Sequence, residues 1–206
     1  MEKIKVLCHS SIKIMGEKII YIDPFHIEKE EKDADYIFCT HSHYDHFSPE
    51  DIKKLRKQNT KLVVVEDLKE KAFELVKKEN VILVKPNRDY QIDNLKVTTT
   101  YAYNVTKPFH PRENNWVGYR ITTKEKTYYI AGDTDNIPEI QKIKADVALL
   151  PIGGTYTMDY QEAAKLANAI TVSKIIPIHY GTIVGKKEDA ESFKKLVKEK
   201  EIEIQI

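Results

Sequence analysis

A charge excess of either sign is missing from this chain: 33 basic residues stand against 32 acidic ones, for a formal net charge of +1. A balance so close to neutral creates no field that would recruit a polyanion or hold an anionic membrane, so nucleic acid is disfavoured as a partner. Cysteine is scarce. Cys8 and Cys39 are the two present, each inside an apolar strand-like run, and they read as small buried hydrophobes of a reducing compartment rather than a disulfide frame. No apolar run approaches the roughly 18 residues of a membrane span. The start, Met1-Glu-Lys-Ile-Lys-Val, carries no apolar signal core, so a cytoplasmic location is expected. Repeats, low-complexity tracts and Pro/Gly/Ser-rich linkers are also absent, and 206 residues are then expected to form one domain over 1–206. Arginine is far outnumbered by lysine, and with plentiful glutamate this gives a surface of the kind seen in heat-adapted proteins.

What is present is an alternation of strand and helix signals. Ile4 to Cys8, Ser11 to Met15 and Lys18 to Ile22 read as short strands, with Gly16 marking a turn. Asp35 to Thr40 is another strand. Ser48-Pro49-Glu50-Asp51 opens a capped helix predicted to reach about Gln58. A strand over 61–65, a helix over 67–78 and a strand over 81–84 follow. Residues 90–130 turn to β, with strands over 90–92, 95–103, 116–122 and 127–130. A short helix is predicted near 138–143 and a strand over 147–152, then a helix over 159–169 in which Asp159 and Glu162 make a capping box. The chain closes with a strand over 175–178, a helix over 189–200 and a strand over 201–206. The class is mixed α/β, with two sheets and helices outside.

Chemistry concentrates in Thr40-His41-Ser42-His43-Tyr44-Asp45-His46, where three of the 7 histidines and an aspartate lie between a strand and a helix. Histidines kept only for packing would scatter. Neutral imidazole and carboxylate suit zinc, iron or manganese. On an extended loop His41 and His43 point the same way, while Asp45 and His46 are carried round toward the helix and can serve a second ion. Two further candidates also follow strands, where mixed α/β folds place ligand sites: Asp133 in Gly132-Asp133-Thr134, and His179 in Pro177-Ile-His-Tyr-Gly-Thr.

The HxHxDH stretch, the later Gly-Asp-Thr and a histidine after an apolar strand resemble the metallo-β-lactamase superfamily. The likeness runs from His9 to Gly181. Cys8-His-Ser-Ser, Pro151-Ile-Gly-Gly-Thr-Tyr-Thr-Met-Asp and Pro177-Ile-His-Tyr-Gly-Thr resemble its ascorbate-6-phosphate lactonase-like branch. The resemblance implies a four-layer αββα sandwich. It also implies one or two divalent metals, zinc foremost with manganese or iron as alternatives: His41 and His43 on the first, Asp45, His46 and His179 on the second, and Asp133 bridging. The third histidine usual at the first metal is missing, and Asn104 stands in its place, although an amide oxygen is a weaker zinc ligand. His110 either substitutes as ligand, hydrogen-bonds substrate, or is a plain loop histidine. His9 is placed in the pocket, beside a metal ligand or against substrate, and His26 on the surface. Asp23 either braces a ligating histidine or is a turn residue. Gly154, Thr155 and Thr157 are candidate substrate contacts, with turn geometry as the alternative, and Trp116 and Tyr119 are core.

The implied activity is hydrolysis, in which metal-activated water attacks while Asp45 orients it and Asp133 fixes the metals. A small-molecule substrate is expected, opened at a lactone, another carboxyl-type bond or a phosphodiester. A nuclease is the alternative, disfavoured by neutrality and by the lack of the large insert with which many superfamily nucleases clamp RNA. Flavin-linked oxygen reduction is disfavoured because that branch usually has glutamate where His43 stands. The rival from outside catalysis is a metal-binding protein of the same fold that has lost activity.

Overall fold

Alternation of apolar and polar residues builds the opening meander. In the computed structural model, which describes residues 2–206, Lys3–Cys8 (β1), Ser11–Met15 (β2) and Ile19–Ile22 (β3) pair antiparallel. Pairing then becomes parallel. Ala34–Phe38 (β4) joins β3, α1 (Pro49–Leu55) leads into β5 (Arg56–Val65), and α2 (Lys69–Phe73) leads toward β6 (Val81–Val84). The six-stranded sheet has the order β1-β2-β3-β4-β5-β6 and belongs to a first unit ending at Lys85. The run Leu62-Val63-Val64-Val65 is wholly buried, as expected of an inner parallel strand.

Ser48 caps α1, its Oγ accepting from the Asp51 N–H at 3.3 Å, and Pro49 occupies the first turn. The helix stops at Leu55 rather than Gln58 because β5 begins at once. The Thr60 hydroxyl accepts from Lys57 N at 2.8 Å and donates to Ala34 O at 2.6 Å, tying this segment to β4. The helix predicted over 67–78 is also cut short. Glu66–Leu68 is a 3-10 turn, and past α2 the chain tightens again into i to i+3 bonds, Glu74 N to Lys71 O and Leu75 N to Ala72 O.

The second unit runs from Pro86 to Ile206. Asp89–Ile92 (β7), Leu95–Tyr101 (β8), Val117–Thr122 (β9) and Thr127–Ile130 (β10) form an antiparallel meander. Val147–Pro151 (β11), α3 (Tyr160–Ala169), Lys174–Ile178 (β12), α4 (Glu188–Leu196) and Glu201–Ile202 (β13) add parallel strands next to β10. The order is β13-β12-β11-β10-β9-β8-β7. Asp159 caps α3 with bonds from Gln161 N and Glu162 N, at 2.9 and 2.7 Å. Leu166 of α3 and Phe193 of α4 share a buried cluster with Tyr129, Leu150 and Ile175.

Pro177 sits inside β12, where a missing N–H would ordinarily break a ladder. Ile175 offers its carbonyl to Glu203 N, so Pro177, two residues on, faces the same side, beyond the stretch paired with β13.

In both units the chemistry-bearing residues follow the C-terminal ends of neighbouring parallel strands, a common place for ligand sites in such sheets. Asp23 follows β3 and Thr40 to His46 follow β4; Asp133 follows β10, Gly153 follows β11 and His179 follows β12.

Candidate metal-binding site

In the first unit the register of β3 and β4 sets Asp23 beside Thr40. Ile22 pairs with Phe38, and Asp23 N donates to Phe38 O at 2.9 Å. Asp23 is buried and adopts a left-handed φ of 46°, a conformation that marks stored strain in a residue other than glycine. Its carboxylate collects three donors: Thr40 N to Oδ1 at 2.8 Å, the Thr40 hydroxyl to Oδ2 at 2.8 Å, and His46 Nδ1 to Oδ2 at 2.7 Å. Burial pushes the Asp23 carboxyl up from its ordinary range, with His46 and then Thr40 opposing. Burial, and then Asp23, also drives the Cys39 thiol well above its ordinary value, which leaves it protonated and inert.

This network fixes two tautomers. The single hydroxyl proton of Thr40 goes to Asp23, so the 2.9 Å contact between Thr40 Oγ1 and His41 Nδ1 requires the ring to donate. His46 likewise donates from Nδ1. Both Nε2 atoms therefore carry lone pairs, and the two rings lie 4.0 Å apart between centroids. His46 Nε2 is 3.4 Å from Asp45 Oδ2, His9 Nε2 is 3.5 Å from the same oxygen, and His41 Nε2 is 3.1 Å from His43 Nδ1. His9 shares the left-handed strain, with φ 55°. The loop is pinned by Ser42 Oγ donating to Asp67 at 2.8 Å and by His46 N donating to His43 O at 3.0 Å.

The second unit holds a matching arrangement. Asp133, His110 and His179 are all buried, and Asp133 Oδ2 lies 3.2 Å from His110 Nε2 and 3.1 Å from His179 Nε2. Asn104 decides the state of His110. Its Nδ2 donates to Asp135 Oδ1 at 3.0 Å and to Tyr156 O at 2.9 Å. Its Oδ1 is thereby left as acceptor for His110 N at 3.1 Å and His110 Nδ1 at 2.9 Å. His110 thus carries its proton on Nδ1 and its lone pair on Nε2, and Trp116 packs edge-on against the ring at 5.6 Å. His179 sits at φ 58°, and Gly153 packs over it so closely that a Cβ there would lie 2.3 Å from His179 O.

Asn104 therefore spends its amide on protein partners. Gly154 is half-buried with φ 82°, Thr155 is exposed, and Thr157 is buried with its hydroxyl donating to Met158 O at 3.3 Å. His26 is exposed, and Trp116 and Tyr119 are buried. Three participants carried no assigned role in the sequence pattern: the Thr40 hydroxyl, Asp135 and Lys107. Asp135 lies two residues past Asp133, and nothing marks Lys107 among the many lysines.

The donor set suits a divalent metal. The lone-pair nitrogens of His46 and His110, facing carboxylate oxygens at 3.4 and 3.2 Å, are repelled unless a cation joins them, and imidazole with carboxylate is the donor chemistry of zinc and its neighbours.

Residues 5–180 match the family model described as a β-lactamase superfamily domain. A protein of Parabacteroides distasonis assigned as a metal-dependent hydrolase has a crystal structure that overlays with a TM-score of 0.83 at 28% identity, over 99% of this chain and 92% of that one. Fold and family model together define a metal-dependent hydrolase of the metallo-β-lactamase fold, mixed α/β with two sheets. The chain is 33% identical over 213 residues to the UPF0173 metal-dependent hydrolase of Thermococcus kodakarensis, covering 97% of this chain and 94% of that one. It is 34% identical over 214 residues to the corresponding protein of Thermoplasma acidophilum, covering 95% and 92%. The chain belongs to the UPF0173 metal-dependent hydrolases.

Proposed function

We propose that the chain hydrolyses a small carboxyl-type substrate, a lactone foremost, with zinc held by His41, His43, Asp45, His46, His110, Asp133 and His179. The observation that carries this is the pairing of tautomer-fixed imidazole with carboxylate in each unit: His46 Nε2 with Asp45 at 3.4 Å, and His110 Nε2 with Asp133 at 3.2 Å. Following the superfamily motif in the sequence, His41, His43, Asp45 and His46 would hold metal in the first unit, and His110, Asp133 and His179 would do so in the second. His110 takes the place of the missing third histidine, and Asn104 holds it there.

When bound, a divalent cation supplies a Lewis acid and lowers the pKa of water. The remaining work falls to the side chains. Asp45 orients the attacking water, with His9 3.5 Å from its Oδ2 as the neighbouring group for the proton. Asp23 and Thr40 keep His41 and His46 in the tautomer that presents Nε2. Gly154 and the exposed Thr155 let substrate approach the backbone after β11, whereas the Thr157 hydroxyl is taken by Met158. A near-neutral charge and the lactonase-like segments at Cys8 and Pro151 favour a small molecule over RNA. No helix among the described residues is long and apolar enough to cross a membrane, and two unbridged cysteines suit a reducing cytoplasm.

The test is turnover of a lactone panel and of bis-p-nitrophenyl phosphate by metal-loaded protein, wild type against Asp133→Ala. Lactone hydrolysis that falls to background in the variant is expected. Faster Asp133-dependent cleavage of the phosphodiester would transfer the assignment to a phosphodiesterase or nuclease. Bound metal without Asp133-dependent turnover of either would leave a metal-binding protein.

A further inference from the structure

One chain of hydrogen bonds runs from the surface to His110. The Lys107 ammonium, a quarter exposed, donates to Asp135 Oδ1 at 2.6 Å and to Thr157 O at 3.0 Å. Buried Asp135 accepts from Asn104 Nδ2 on the same oxygen, and from Val105 N on the other at 2.8 Å. Asn104 in turn accepts the His110 Nδ1 proton. Donor and acceptor are fixed at each link by chemistry: an ammonium only donates, a carboxylate only accepts, and an amide placed between a carboxylate and an imidazole must turn its NH2 to the first and its oxygen to the second.

We propose that Lys107 is a positioning residue which, through Asp135 and Asn104, holds His110 in the tautomer that presents Nε2. This rests on the assignment of His110 as a metal ligand. A charged partner for Asp135 is needed because the carboxylate is buried and an uncompensated charge there is strongly unfavourable. The segment most directly hung on that carboxylate is the loop from Asn104 to His110, whose ends meet through Asn104 N donating to His110 O at 2.8 Å. With the ammonium gone, displacement of this loop relieves Asp135 and frees the His110 ring to exchange tautomers. The 3.9 Å approach of Lys107 Nζ to Glu162 Oε2 adds a second anchor, on α3, so the relay ties the loop to the helix that Asp159 caps.

The experiment is long-range proton–nitrogen NMR of histidine rings in metal-free protein at mildly alkaline pH, on wild type, Lys107→Met and Lys107→Arg, with zinc affinity measured by chelator competition. Wild type should show His110 as a single Nδ1–H tautomer. Lys107→Met should show a mixture of tautomers and bind zinc about tenfold more weakly, the low end of the range for groups that support a metal ligand. Lys107→Arg should restore both, and Lys107→Met should keep the wild-type far-ultraviolet dichroism. A tautomer shift with unchanged zinc affinity would leave the relay standing and remove His110 from the ligand set. An unchanged tautomer in Lys107→Met, whatever the zinc affinity, would overturn the relay.

Discussion

Asp23 serves two histidines with one carboxylate. It bonds His46 directly and His41 through the Thr40 hydroxyl, and its left-handed backbone turns it into that position. Asp23→Asn keeps the size but cannot accept all three donors, so zinc affinity should fall about 10- to 100-fold, read by chelator competition, while the fold persists by circular dichroism. An affinity within twofold of wild type would mean that the histidines are held by something else. The single-residue reach of sequence pattern is visible here. The candidate cluster from His41 to His46 stands out by density, whereas the place of Asp23 after a strand left it open between a brace for a histidine and a turn residue. Thr40 does not stand out, because its role depends on the register of β3 against β4. Asn104 was legible as an anomaly, but its meaning lay in the hydrogen bonds on both sides of the amide.

At the scale of elements, local chemistry and tertiary pairing divide the credit. Ser48 and Asp159 cap α1 and α3 as predicted, but the boxes are not reciprocated, since Asp51 accepts from His26 N and Ile27 N and Glu162 from Asn136 N. The ends of α1 and α2 were not legible, since Arg56 to Thr60 form a strand only through Thr60 bonding Ala34. Asp159→Ala removes two bonds from the first turn of α3 and should cost about 1 kcal/mol, measured by urea unfolding; a loss below the error of that method would show that the cap is made by water. Gly153→Ala should do more to activity than to folding. The added methyl meets His179 O at 2.3 Å and Val184 at 2.7 Å, so the backbone after β12 must shift and carry His179 with it. Retention of wild-type metal content and turnover by this variant would contradict the role given to His179.

For the molecule as a whole, each sheet begins as an antiparallel meander and continues with parallel strands whose C-terminal ends bear the chemistry. The alternation of strand and helix signals in the sequence conveyed that order, and the motif supplied the family; the pairing order of β1 to β13 came only from the structure. Acid stability has its own signature near the C-terminus. The Lys174 ammonium, 2.6 Å from Glu203, holds the Glu203 carboxyl below its usual value. A lowered folded-state value stabilises above the unfolded value of about 4.3 and is lost as pH falls through the folded one. Lys174→Met should therefore flatten the fall in stability on acidification from about pH 5, by no more than about 1 kcal/mol for a pair this exposed. Coincident curves for the two proteins would assign the acid limb to other carboxylates.

What most needs testing is the proposal that the motif's histidines and aspartates bind metal on which hydrolysis depends. Its most direct measurement is bound zinc per chain by mass spectrometry, with lactone turnover followed as metal is restored to stripped protein. The account predicts about two ions per chain in wild type, fewer in His46→Ala and in His110→Ala, and turnover rising in step with bound metal. Full metal content in both variants, or turnover that persists in the stripped protein, would contradict it.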